Sequence, residues 1–78
     1  MRTKQLRLIV TFHTTTSAMA MEKVCAEKGI AGRLIPVPRD ISAGCGMAWS
    51  APVEARKAVE NMAREAGIET DGWYELMD

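Results

Sequence analysis

Cys45 stands in the stretch PVPRDISAGCG, residues 36–46, whose residue types suit chemistry at a thiol. Pro36 and Pro38 fix the backbone φ angle and remove two backbone donors, so the beginning of the stretch is rigid. The residues nearest the cysteine carry little side-chain bulk: Ser42, Ala43, Gly44 and Gly46. Another molecule can approach such a thiol closely, and we expect Cys45 to be the reactive group.

Four residues are candidates for stabilising negative charge at Cys45. Arg39 lies in the same stretch, and His13, Thr14 and Thr15 stand at the beginning of a predicted helix. A cation or a helix N-terminus near a cysteine favours the thiolate, which is the nucleophilic form. The sequence therefore predicts an anion-stabilising surround for the thiol.

Each of these candidates also has a purely structural explanation. A cysteine between glycines is often only a tolerated exposed residue, and His13 can cap or pack the junction that it occupies. Arg39 can pair with Asp40 or Glu22 on the surface, where ion pairs contribute little.

The sequence predicts no metal site and no bound cofactor. It contains one histidine and two cysteines, and Cys25 falls on the apolar side of a predicted helix, where we expect core packing. These residues do not supply the four ligands of structural zinc. Phosphate-binding and dinucleotide-binding glycine motifs are absent from the sequence, as is a Ser/His/Asp arrangement.

Length and charge limit the classes of protein to consider. The 78 residues, 47% of them hydrophobic, predict one domain over 1–78 with an ordered core at about 5–77. The formal net charge is zero and the basic residues are scattered, so neither nucleic acid nor a membrane is an expected partner. The N-terminal residues lack the features of a secretory signal, and we expect a cytoplasmic protein with free thiols.

Hydrophobic periodicity and end signals predict six elements. The first strand alternates at Leu6, Leu8, Val10 and Phe12, with one face against a core. The other elements are a helix at 18–28 after the hydroxyl cluster, strands at 32–37 and 47–51, a helix after Pro52, and a strand at 73–77. The predicted buried stripes of the two helices are Ala18, Met21, Val24 and Cys25, and Ala55, Val59, Met62 and Ala66.

This β-α-β-β-α-β order predicts an α+β fold, a ferredoxin-like sandwich with both helices on one face of an antiparallel sheet. Right-handed crossovers give the strand order 4-1-3-2. The first two strands are then parallel, which puts the Cys45 stretch and the N-terminus of the first helix at the same end of the sheet. The second strand contains Pro36, so the expected surfaces for a homodimer are the fourth strand, 73–77, or the sheet face that no helix covers.

Beyond these patterns, the chain resembles domain-of-unknown-function family 3343, described as selenium/sulfur carrier-like proteins. The resemblance runs from about Leu8 to Tyr74 and includes the stretches VTFHTTTSAMAMEK and GRLIPVPRDISAGCG. The most specific part is P-x-P-R-x-I-S-x-x-C-G, matched by Pro36, Pro38, Arg39, Ile41, Ser42, Cys45 and Gly46.

The resemblance implies that Cys45 accepts a persulfide or a selenium-containing group and transfers it to another protein. The partners would then be donor and acceptor proteins, and the chain would be a carrier, not an enzyme that turns over. The alternative is a small regulatory or binding module on the same fold, in which Cys45 has no chemical role.

Overall fold

A computed structural model describes residues 5–39, 41 and 46–77. The elements within these residues follow the predicted order, and the α+β class is confirmed. In chain order they are β1 Leu6–Thr11, α1 Thr15–Lys28, β2 Arg33–Pro36, β3 Met47–Pro52, α2 Arg56–Ala66 and β4 Gly72–Met77. A short 3-10 turn, Val53–Ala55, leads from β3 into α2.

The four strands form one antiparallel sheet in the order β2-β3-β1-β4, which is the predicted order read from the opposite edge. Both β1 and β2 run antiparallel to β3, so they are parallel to each other and α1 connects them. The edge strands are β2, which contains Pro36, and β4. A proline without a backbone donor is tolerated at such an edge.

One face of the sheet packs against both helices. Leu8, Val10 and Phe12 alternate along β1 and just beyond it, so their side chains point to this side. They form one cluster with the buried residues Ala18, Met21, Cys25, Trp49, Ala51, Val59, Met62 and Ala63.

The predicted stripe of α1 is confirmed, with Val24 half-buried at its margin. In α2 the prediction is wrong at Ala66, which is exposed, whereas Ala63 is buried. The reason is that α2 ends at Ala66. Ala63 follows Val59 by four residues, so it lies on the same face, about one turn before the end of the helix.

The opposite face of the sheet is also buried, so the prediction that the first strand has only one face against a core is wrong. Ile9 and Ala48 are fully buried there and pack with Ile41, which comes from the segment between β2 and β3. Thr11 and Ser50 are fully buried as well. A second, smaller layer therefore covers this side.

Local signals fix the helix ends. Thr14 has an extended backbone, and its side-chain oxygen accepts a hydrogen bond from the Ser17 N–H at 3.2 Å, so α1 begins earlier than the predicted residue 18. Both helices end at a glycine with left-handed backbone, as predicted: Gly29 and Gly67.

Among the described residues, no helix is long and apolar enough to cross a membrane.

Candidate functional site

The segment between β2 and β3 is closed at its two ends by a pair of residues, Val37 and Gly46, that we call the neck. The Val37 N–H donates a hydrogen bond to the Gly46 carbonyl oxygen at 3.1 Å, which extends the β2–β3 pairing one step past Pro36 and Met47. Gly46 has a φ of 76°, a conformation that glycine adopts without steric penalty. Cys45 directly precedes this glycine in the sequence. Cys45, Ser42 and Gly44 themselves lie outside the described residues.

The neck lies at the same end of the sheet as the beginning of α1. Thr11, the last residue of β1, pairs with Ala48 near the beginning of β3 and with Gly72 at the beginning of β4. His13 follows Thr11 by two residues and Gly46 precedes Ala48 by two, so both lie just beyond this end of the β1–β3 pairing. The chain then enters α1, so the helix N-terminus belongs to this end.

The N-terminus of α1 carries hydroxyl groups and no carboxylate in its first turn. Thr14 is the cap residue, and its hydroxyl also donates to Ser17 Oγ at 3.1 Å. Thr15 is the first helical residue and is exposed. The partial positive charge of the helix end is therefore not neutralised by an acidic side chain of that turn.

His13 lies beside an acidic residue that the sequence analysis did not single out. Its Nε2 is 3.5 Å from Asp71 Oδ1, and 61% of the His13 side chain is exposed. Asp71 is fixed in turn, because its N–H donates to the Thr11 carbonyl at 2.7 Å. This contact places His13 beside the residue that precedes β4, and β4 lies on the opposite side of β1 from β3. The contact joins residues far apart in sequence, and no local signal predicts it.

Arg39 is exposed on a turn at the beginning of the stretch. The Ile41 N–H closes this turn by donating to the Pro38 carbonyl at 3.0 Å. Arg39 makes no ion pair with residues that the structure describes, so the alternative pairing with Glu22 is not observed. Asp40, the other alternative partner, lies outside the described residues.

A comparison with known protein families identifies the family of this chain. A family model described as "Putative Se/S carrier protein-like" matches residues 7–75, nearly the whole chain. The chain belongs to this family. No curated protein and no solved structure matches it.

The second cysteine of this Se/S carrier-like chain has no access to solvent. Cys25 is fully buried, and its Sγ donates a hydrogen bond to Met21 Sδ at 3.7 Å. Burial raises the pKa of the Cys25 thiol from its ordinary 9.0 to about 11, because an apolar surround disfavours the thiolate. The prediction that Cys25 is a core residue is confirmed.

Over residues 5–39, 41 and 46–77, no group of three His, Cys, Asp or Glu side chains could hold a metal ion.

The sequence analysis gave no role to Ile41, the one large apolar residue between Val37 and Gly46. An isolated isoleucine among polar and small residues was the available signal that this segment packs on something.

Proposed function

We propose that Cys45 accepts a persulfide-type group from a donor protein and passes it to an acceptor protein. The observation that carries the proposal is the family match over residues 7–75, a range that contains Cys45 and the whole PVPRDISAGCG stretch. The family description names the cargo as selenium or sulfur, and a cysteine thiol is the group that can carry either element.

The transfer is a thiolate exchange that needs no external oxidant or reductant. The Cys45 thiolate attacks the terminal sulfur of a donor persulfide, R–S–SH, and a new S–S bond forms as the donor S–S bond breaks. The donor leaves as the thiolate R–S⁻, and Cys45 becomes a persulfide that keeps the terminal proton. An acceptor thiolate reverses the step, and a selenium atom in the terminal position follows the same route.

Charged and hydroxyl groups at this end of the sheet suit an anionic thiol. Arg39 supplies a cation in the same stretch, and the α1 N-terminus with Thr14 and Thr15 supplies N–H and hydroxyl donors. His13 is the second candidate cation. Its Nε2 lies 3.5 Å from Asp71 Oδ1, which keeps the imidazole at this end of the sheet. The bulk-free residues Ser42, Gly44 and Gly46 leave room for the partner sulfur.

The wider setting of the proposal is a ferredoxin-like sandwich in the cytoplasm. The strand order and the α1 crossover between parallel β1 and β2 support the ferredoxin-like plan. A cytoplasmic location suits a carrier that needs a reduced thiol before each cycle.

The test is loading of the full chain by a cysteine desulfurase with cysteine as the sulfur source, followed by intact mass measurement. We expect one added sulfur atom on the wild type and on Cys25→Ala, and none on Cys45→Ser. Cyanide should then release the added sulfur as thiocyanate. The proposal is wrong if the wild type gains no sulfur, or if Cys45→Ser loads as well as the wild type. Either result favours a binding module in which Cys45 has no chemical role.

A homodimer remains a prediction, and the edge strand β4 is its proposed surface. β4 pairs only with β1 among the described strands, it contains no proline, and Tyr74 and Met77 on it are exposed. Light scattering of the full chain measures the state directly, and a monomeric mass at all concentrations would remove the prediction.

A further inference from the structure

Two arginines from distant parts of the sequence lie on the face of the sheet opposite the helices, at the end away from the neck. Arg33, the first residue of β2, pairs directly with Ser50 of β3. Ser50 also pairs with Ile9 of β1, and Arg7 precedes Ile9 by two residues. Residues directly opposite each other in a sheet point to the same side, as do residues two apart on a strand. Arg7 and Arg33 therefore flank Ser50 on one face.

The guanidinium group of Arg7 is held in place by Ser50. Arg7 is half-buried and Ser50 is fully buried, and Arg7 Nε donates a hydrogen bond to Ser50 Oγ at 3.2 Å. The Nη atoms of Arg7 have no hydrogen-bond or ion-pair partner among the described residues. A guanidinium fixed through Nε presents its Nη atoms side by side, an arrangement that suits two oxygen atoms of one anionic group.

Arg33 supplies a second cation at the same place. It is exposed, and it makes no ion pair with any residue that the structure describes. The Cβ atoms of directly opposed residues in a sheet are about 4.5 to 5.5 Å apart. The side chain of Arg33 is longer than this distance, so it can reach a group bound next to Ser50.

No carboxylate in the described strands balances these two cations. The one acidic residue within the strands is Glu75, which pairs with Leu8 and so lies on the face that packs against the helices. There it forms an ion pair with Arg56. Asp71 lies at the other end of the sheet, bound to Thr11. A half-buried cation without a counterion favours binding of an anion.

We propose that Arg7 and Arg33 form a binding site for a single oxyanion group, a carboxylate or a phosphate. The Nη atoms of Arg7 bind two of its oxygen atoms, Arg33 adds the second positive charge, and Ser50 is the positioning residue for Arg7. The site lies at the opposite end of the sheet from the neck, and it does not depend on the transfer proposed for Cys45.

The site is tested by amide NMR on the isotope-labelled full chain. The chain is titrated with inorganic phosphate and, separately, with acetate, both at constant ionic strength because screening alone changes charge interactions. We expect saturable shifts of the Arg7 Nε–H signal and of the backbone amides of Arg33 and Ser50. The anion that saturates at the lower concentration distinguishes a phosphate site from a carboxylate site. No saturable shift with either anion would overturn the proposal.

Charge-removing variants locate the binding. Arg7→Gln and Arg33→Gln should each weaken the affinity for the better anion roughly tenfold, because each loses hydrogen bonds between charged groups. Arg64→Gln is the matched control: Arg64 is exposed on α2 and has no ion-pair partner among the described residues. It should keep the wild-type affinity. Equal weakening in all three variants would reveal a general charge effect and overturn the site.

Two further variants test the fixed guanidinium and keep the charge. Ser50→Ala removes the acceptor of Arg7 Nε, and Arg7→Lys replaces the planar group by a point charge. We expect both to weaken anion binding, and Ser50→Ala also to move the Arg7 Nε–H signal in the anion-free chain. Wild-type affinity in both variants would overturn the role of Ser50.

The outcome is separable from the test of the proposed function. A chain that binds phosphate or acetate here but accepts no sulfur from the desulfurase would refute the carrier and keep this site. A chain that loads sulfur but shows no saturable anion binding would do the reverse.

Discussion

The two sides of the sheet are both buried, but very different amounts of chain cover them. On the helix side, α1 and α2 contribute to a cluster of eleven buried residues. On the opposite side, the buried cluster has three members, and Ile41 is the one that does not come from a strand. One side is thus a conventional two-layer core, called here the helix side. On the other, called the loop side, Ile41 is the buried residue that packs on the strands.

The two sides are expected to contribute differently to the stability of the fold. The helix side has many contacts that support one another, so it sets the global stability of the fold. The loop side has few, so we expect the contacts of Ile41 to open at a lower free energy than those of the helix side.

The largest expected effect compares two adjacent residues of β1. Leu8 faces the helices and Ile9 faces the segment, and both are fully buried. We expect Leu8→Ala to lower the free energy of unfolding by about 3 to 5 kcal/mol and Ile9→Ala by about 2 to 3 kcal/mol, because a single covering segment relaxes into the cavity more easily than two helices do. Urea denaturation measures both values.

A double-mutant cycle with Ile41→Ala sharpens this comparison. Ile9→Ala and Ile41→Ala remove parts of the same contact. The double variant should therefore lose less unfolding free energy than the two single variants lose together. Leu8→Ala and Ile41→Ala act on opposite sides of the sheet and should be additive. Additivity in both cycles would mean that Ile41 is no more strongly coupled to Ile9 than to Leu8, which contradicts the packing of Ile41 on the loop side.

The second prediction uses the buried thiol on the helix side. The pKa of Cys25 is about 11 when folded against an ordinary 9.0, so the folded state retains the proton where the unfolded state has lost it. Its stabilising contribution is complete below pH 9 and is lost as the pH rises toward 11. The difference in unfolding free energy between the wild type and Cys25→Ala should therefore shrink over this interval.

The same burial predicts unequal labelling of the two cysteines at neutral pH. Iodoacetamide should modify Cys45 much faster than Cys25, which reacts only when the helix side opens. Peptide mass mapping after brief labelling distinguishes the two sites. Equal labelling of both thiols would show that the helix side opens often enough to expose Cys25.

The helix side was largely predictable from the sequence, and the loop side was not. Apolar residues at period two in β1 and at helical spacing in α1 reflect contact with one continuous core, and Thr14 and Gly29 are local end signals. Ile9 and Thr11 read as the outer face of a strand, because only a contact distant in sequence buries them. Ile41 and the His13–Asp71 pair depend on such contacts too, and neither leaves a periodic pattern.

The third prediction compares two glycines, one on each side. Gly46 at the neck and Gly67 at the end of α2 have φ values of 76° and 69°, and a Cβ at either would meet nothing within 4 Å. Alanine at each position should therefore lower the unfolding free energy by about 1 to 2 kcal/mol for conformational reasons alone. Asparagine, which tolerates this backbone better, should have a smaller effect.

Proteolysis separates these two glycine variants. Gly46→Ala strains the neck, so it should also speed trypsin cleavage after Arg39, whereas Gly67→Ala should leave that rate unchanged. Faster cleavage after Arg39 in Gly67→Ala would indicate that the segment and α2 open together.

The smallest expected effect concerns the helix end nearest the neck. Thr14 accepts the Ser17 N–H, so Thr14→Ala should lower the unfolding free energy by about 1 kcal/mol, and Thr14→Ser should restore most of it. The cap belongs to the helix side, so cleavage after Arg39 should stay at the wild-type rate in both variants. An increase in that rate with Thr14→Ala alone would show that the α1 N-terminus and the Cys45 segment are energetically coupled, which would strengthen the case that this helix end contacts the thiol.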